Sequence, residues 1–187
     1  MISGLSAWIR ATALPAALGL LAGCHADPRA GQYVGDDITN TDFEAQAGWG
    51  ADVNALTREH AHSGRFATFV GPDREFSLTY QLPLGQASVH PLRAVDLEAW
   101  VYLPTAGATA ALTVQVFRPP GSPAGPPLYT EALQLTSQVV PAGKWSPVHH
   151  VFVLPAGLPA EASLRIYMWR TSSAAVYLDD LHAKARE

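Results

Sequence analysis

Along most of the chain, hydrophobic residues recur at every second position. In residues 97–103, Leu97, Ala99, Val101 and Leu103 share one parity, and Glu98, Trp100 and Tyr102 share the other. The same holds for Leu112, Val114 and Val116 against Thr113, Gln115 and Phe117, and for Leu164, Ile166 and Met168 against Arg165, Tyr167 and Trp169. A period of two is the signature of extended chain with one face buried. It predicts strands over Phe66–Val70, Glu75–Leu82, Leu92–Leu103, Ala110–Phe117, Leu128–Leu135, Pro147–Leu154, Ser163–Trp169 and Ala174–Ala183, with a further short strand within Asp42–Trp49. Between them lie Gly71-Pro72-Asp73, Pro104-Thr105-Ala106-Gly107, Pro141-Ala142-Gly143 and Pro155-Ala156-Gly157, where proline presets φ and Gly or Asp accepts unusual backbone angles. The Pro-rich stretch Arg118–Pro127 reads as a stiff hairpin connection. No segment after the first 24 residues sustains a 3.6-residue period. So many short strands at this spacing predict an all-β domain, a two-sheet antiparallel β-sandwich of jelly-roll type.

In such a sandwich the aliphatic parity meets between the sheets, and the other parity faces outward. Trp100, Tyr102, Gln115, Arg165, Tyr167 and Trp169 all fall in the outward class. A pyranose ring presents an apolar C–H face that stacks on Trp or Tyr, while amides and guanidinium groups bind its hydroxyls. These six are therefore the candidate ligand-binding residues. The alternative use of such rings is to pack beneath a loop or a terminal segment, and solvent exposure of Trp100, Tyr102 and Trp169 discriminates the two.

The first 23 residues have a different pattern. Arg10 carries the only charge, and an apolar run from Ala11 to Gly23 ends in Leu21-Ala22-Gly23-Cys24. The run is shorter than the roughly 20 apolar residues a membrane-spanning helix needs. It reads as a cleaved signal peptide, and its end resembles the lipobox of bacterial lipoproteins, which implies that Cys24 becomes the lipidated first residue. Residues 24–37 then form a polar tether, and residues 38–187 the folded domain. His25, rather than Asp, follows the cysteine, which points to the outer membrane of the cell envelope. Cys24 is the single cysteine, so no intramolecular disulfide forms.

Composition narrows the function classes. Hydrophobic residues make up 48% and charged residues 15%, enough apolar material for a core. The net charge is −4, with no basic run to track phosphates, so nucleic acid is not an expected partner. No Ser-centred nucleophile motif, phosphate loop or zinc spacing is present, and His60, His62, His149 and His150 read as surface or loop residues. The protein is not expected to be an enzyme.

Three landmarks occur in order: Asn40-Thr41-Asp42-Phe43-Glu44 followed by Gly48-Trp49, then His60-Ala61-His62-Ser63-Gly64, then Val176-Tyr177-Leu178-Asp179-Asp180-Leu181. With Leu97–Tyr102 and Gly143-Lys144-Trp145 between them, this layout resembles carbohydrate-binding modules of the family four, nine and twenty-two grouping, galactose-binding-domain-like jelly rolls, over residues 38–184. The resemblance implies a polysaccharide ligand and a structural calcium held by Glu44, Asp179 and the backbone near Ser63; in a regular strand Asp180 would point away from it. It also implies packing roles for Trp49 and Trp145. Two functions stay open: a membrane-anchored glycan-binding lipoprotein without catalysis, or a structural or protein-interaction domain of an envelope assembly with no sugar affinity.

Overall fold

The computed structural model describes residues 36–45, 49–50, 52–138 and 140–187. The leader, Cys24, most of the tether and Gly48 lie outside the described residues. Among the described residues, ten strands form two antiparallel sheets: β1 Asp37–Thr41, β2 Leu56–Thr57, β3 Ala67–Val70, β4 Tyr80–Pro83, β5 Ala94–Tyr102, β6 Ala110–Phe117, β7 Tyr129–Gln134, β8 Trp145–Val153, β9 Ser163–Arg170 and β10 Val176–Arg186. One sheet, here the first, runs β2-β3-β10-β5-β8 with β1 also paired to β10. The second runs β4-β9-β6-β7.

The predicted alternation places the core. Leu97, Val101, Phe152 and Leu178 of the first sheet meet Leu112, Val114, Leu164, Ile166 and Met168 of the second, all with essentially no exposed surface. Burying each such side chain contributes roughly 1.5–3 kcal/mol, so the interleaved faces are what hold the sandwich together. Trp49 and Phe43 close one end: their rings meet edge-on at 5.0 Å, and the Trp49 indole N–H donates to Thr39 Oγ1.

The sequence reading needs correction at two strands. The short strand expected within residues 42–49 does not form over 42–45, since β1 ends at Thr41, and residues 46–48 lie outside the described residues. Thr41 Oγ1 accepts from the Phe43 N–H and Asp42 Oδ1 from the Glu44 N–H, and Phe43 turns to φ 57°. Such side-chain acceptors offer the backbone an alternative to ladder bonds. The expected strand Glu75–Leu82 is regular only from Tyr80. Ser77 replaces one ladder acceptor with its own hydroxyl, which accepts from the Met168 N–H while the Ser77 N–H donates to the Met168 carbonyl.

The last strand contains the feature that shapes the first sheet's outer surface. Against β5 the register runs Tyr177↔Tyr102 and Asp179↔Trp100, then His182↔Glu98, so β10 carries one residue more than its partner. This is a β-bulge, and Asp180 within it has φ 44°. It keeps Leu178 and Leu181 both in the core although they are three apart. It also divides one edge of β10 between two partners, β3 along Val176–Leu178 and β1 along Leu181–Lys184.

Candidate functional site

The six sequence-predicted ligand residues do not form one surface. Trp100 and Tyr102 lie on the outer face of the first sheet, whereas Gln115, Arg165, Tyr167 and Trp169 lie on the outer face of the second. The two groups are on opposite sides of the molecule, because each sheet turns its own outward parity away from the shared core.

The first sheet's aromatic face is covered by residues 58–65. In register across β10, β5 and β8 stand Tyr177, Tyr102 and Trp145, and beside them Asp179, Trp100 and Pro147. His60 stacks on Tyr102 at 4.3 Å and meets Tyr177 edge-on at 4.7 Å. His62 stacks on Trp100 at 3.9 Å and meets Trp145 edge-on at 5.5 Å. Tyr177 donates to Glu59 Oε2 at 2.7 Å; burial and that carboxylate both push the phenol pKa upward. Tyr177 is buried and Trp100, Tyr102 and Trp145 are half-buried under a loop, the second of the two uses open to such rings.

Carboxylates hold the covering loop in place. Asp179 is fully buried, and its Oδ2 accepts from the backbone N–H groups of His62 (2.7 Å) and Ser63 (3.1 Å). The bulge turns Asp180 toward the same loop, against the expectation for a regular strand: its carboxylate takes His62 Nδ1 at 2.5 Å and the Ser63 hydroxyl at 2.6 Å. Glu44 Oε1 accepts from the Arg65 and Phe66 N–H groups at 2.6 and 2.7 Å, and these bonds hold its pKa below the usual carboxylate range. Gly64 between them has φ 55°, and a side chain there would meet Glu44 Oε1 at 2.6 Å, so the loop requires glycine.

This arrangement bears on the calcium that the resemblance implied for Glu44, Ser63 and Asp179. One oxygen of each carboxylate is filled by two N–H donors, and Ser63 gives its hydroxyl to Asp180. A Ca2+ ion, which takes six to eight oxygens, would have to draw on the second oxygen of each carboxylate and on backbone carbonyls near Ser63. Backbone N–H groups here tie the loop to the first and last strands. The expected outcome of adding a chelator is an unchanged melting temperature; a fall of several degrees, reversed by Ca2+, would put a cation back at this junction.

The outer face of the second sheet is different: among the described residues, no loop stacks a ring face to face on its aromatics. Trp169 and Phe76 are among the most exposed large apolar residues described, at 41% and 44%. Phe76 meets Tyr167 edge-on at 5.6 Å, and the Trp169 indole N–H donates to Glu75 at 3.2 Å. The strands lay polar groups between these rings. In register across β4, β9, β6 and β7 run Gln81, Arg165, Gln115 and Thr130, and one row over Tyr167, Thr113 and Ala132. The small residues Ala111, Thr113 and Ala132 keep the floor low beside the rings. A hollow of about 300 Å3 opens between Phe76, Thr79, Gln115, Phe117, Arg165 and Tyr167.

One observation sets this face apart. Among the described residues, three buried side-chain polar atoms have no hydrogen-bond partner: Thr113 Oγ1, Ser163 Oγ and Arg165 Nε. All three belong to residues of the outward parity on β6 and β9 of this sheet. Buried polar groups are nearly always satisfied, and leaving one unmade costs about 1–3 kcal/mol. These atoms have almost no accessible surface, so the polar groups on this face that are open to a ligand are instead the side chains of Gln81 and Gln115.

Sequence reasoning identified Gln115, Arg165, Tyr167 and Trp169 by parity but missed Phe76, Gln81, Thr113, Phe117 and Ser163. Thr113, Phe117 and Ser163 share the parity of the residues that were chosen, so the pattern held the signal. Phe76 sits in the irregular stretch before β4, where no period places it.

The architecture defines the class of protein this is: a jelly-roll β-sandwich. No protein-family model matches the sequence, and no curated protein does. Among solved structures, the chain is similar to the CBM22-1 xylan-binding domain of Paenibacillus barcinonensis Xyn10C, with 23% identity, a TM-score of 0.52, and coverage of 81% of this chain and 95% of that one. It is also similar to the C-terminal family 22 carbohydrate binding module of Clostridium thermocellum Xyn10B, with 12% identity, a TM-score of 0.51, and coverage of 80% and 93%. At these identities the likeness establishes the shared fold.

Proposed function

We propose that this protein is a non-catalytic glycan-binding module, tethered to the cell envelope through lipidated Cys24, which holds a polysaccharide on the outer face of its second sheet. The observation that carries the reading is the exposed pair Trp169 and Phe76 with half-buried Tyr167, set beside an open hollow lined by Gln115 and Arg165, with Gln81 next in register. A sugar chain suits both kinds of group at once: its C–H faces cover the rings, and its hydroxyls donate to and accept from the side-chain amides of Gln81 and Gln115. The fold shared with xylan-binding modules supports the reading. Retention of the protein on insoluble polysaccharides, followed by calorimetry with soluble fragments, tests it; no affinity for any glycan across a broad panel would reject it in favour of the envelope-assembly alternative.

The anchor is a separate part of the proposal and rests on the apolar run ending at Leu21-Ala22-Gly23-Cys24. Two or more acyl chains, at about 0.8 kcal/mol per buried CH2, hold a protein firmly on a membrane. Mass spectrometry of the mature N-terminus from native membranes is expected to show acylated Cys24. A free or uncleaved N-terminus would remove the anchor and with it the outer-membrane placement, while leaving the glycan reading intact.

A further inference from the structure

The rings and hydroxyls of the second sheet suit any sugar, but Arg165 does not fit a purely neutral one. It stands mid-face on β9, between Gln81 and Gln115 with Thr130 beyond. Its guanidinium lies over the Phe117 ring at 4.1 Å. That contact uses the flat face of the group and leaves its rim of N–H donors for a partner in the plane. Nε is itself shut away from solvent, so a partner would meet the two terminal nitrogens, and no described carboxylate forms a salt bridge with the group. Four other arginines have acceptors, Arg65 on Glu44, Arg74 on Asp52, Arg186 on Asp96 and Arg170 on the carbonyls of Gly71 and Pro72.

Among the described residues, the surroundings contain no negative charge that would take this role. Glu75 is at the far end of the face, engaged with the Trp169 indole. Four residues along a strand separate Trp169 from Arg165, about 13 Å. Glu161 lies as many residues before Arg165, in the connection that precedes β9, beside the Pro-rich loop. The cross-strand neighbours of Arg165 offer amides and a hydroxyl, and the next cation along β6 is the exposed Arg118. A partly desolvated guanidinium with no counter-charge is costly to keep, and its fork of donors matches a planar carboxylate in two-point contact.

We propose that the polysaccharide held on this face carries carboxylate groups, that is, uronic acid residues, and that Arg165 selects them by a bidentate ion pair. This inference rests on the glycan-binding reading above and narrows its ligand to an acidic class. Gln81 and Gln115 flank the carboxylate as neutral hydrogen-bonding arms, and Tyr167 and Trp169 carry the adjoining ring faces.

The test uses polymers that differ only in charge: glucuronoxylan against the same polymer with its carboxyls reduced to alcohols, and polygalacturonate against its methyl ester. Binding by the full chain, wild type and Arg165→Gln, is measured by calorimetry, with circular dichroism to verify folding. The wild type is expected to bind at least one acid form about tenfold or more tightly than its neutral twin, in keeping with a charge-assisted pair. Arg165→Gln should bring the acid form down to the level of the neutral one, with Arg165→Lys between. The preference should shrink as salt is raised. Equal binding of both twins by the wild type, or an unchanged preference in a folded Arg165→Gln, overturns the inference while leaving glycan binding standing. No binding to any polymer overturns both.

Discussion

Replacing Tyr167 and Trp169 together by alanine is expected to weaken polysaccharide binding by a hundredfold or more while leaving the melting temperature within a few degrees of the wild type. Both side chains point away from the core, so little of the sandwich rests on them. Trp169 is 41% exposed, and its neighbours Phe76 and Glu75 are exposed as well. Covering one aromatic ring with a sugar face removes apolar area worth roughly 1.5 kcal/mol or more from water, and two rings together reach about 3 kcal/mol. Each 1.4 kcal/mol is about a factor of ten. Trp100→Ala serves as the matched control. Its ring lies under His62 on the opposite sheet, so it should change stability more than affinity. A folded double variant that binds as tightly as the wild type would dismiss the second sheet as the ligand surface.

The second large effect concerns stability. Asp179→Ala is expected to lower it by about 3 kcal/mol, or roughly 10 °C in melting temperature for a domain of this size. The carboxylate accepts from the amides of His62, Ser63 and Asp180. Removing it strands donors beneath a loop that is in turn stacked on Trp100 and Tyr102. Asp179→Asn keeps one acceptor and should fall between. The pH response gives an independent signature. Burial pushes the Asp179 carboxyl up to about 6, outweighing the three N–H bonds that pull it down, with the Asp180 charge adding to the rise. A folded-state value above the unfolded value of about 4 means that the native chain takes up the proton first. The stability contributed through this group therefore increases as pH falls through about 6 and levels off below about 4. Relative to Asp179→Asn, the wild type should gain stability between neutral pH and pH 4 in urea unfolding. A gap between the two that does not move with pH, or that moves the other way, would contradict this account of the buried carboxyl.

Much of this molecule can be read from alternation. The strand Ala110–Phe117 has the bounds its pattern predicts, and the inward residues of β5, β6 and β9 are those of the aliphatic parity. Sequence reading missed the bulge in β10 by treating the strand as regular, although the pattern held its signal. Val176 and Leu178 are in one phase, whereas Leu181, Ala183 and Ala185 are in the other. With both sets buried or half-buried, the strand must gain a residue between them, and that extra residue is what brings Asp180 to Ser63 and His62. Parity says which residues point outward but not from which sheet, since that is fixed by strand order. Trp100 and Trp169 therefore looked like partners and are on opposite sides. Loop coverage is likewise invisible to periodicity. His60 and His62 read as surface histidines, yet their flat rings are the lid on the first sheet's aromatics. The orphaned Thr113 hydroxyl reveals itself only once its neighbours, Tyr167 and Ala132, are in place.

Backbone amide mapping by NMR addresses the ligand surface most directly, by titrating the protein with a short oligosaccharide of its tightest-binding polymer. The largest shifts should fall on β6 and β9, around Thr113, Gln115, Arg165 and Tyr167, and on Phe76. Shifts concentrated instead along β5, β10 and residues 58–65, with β6 and β9 silent, would place the ligand on the other side of the sandwich and contradict the account.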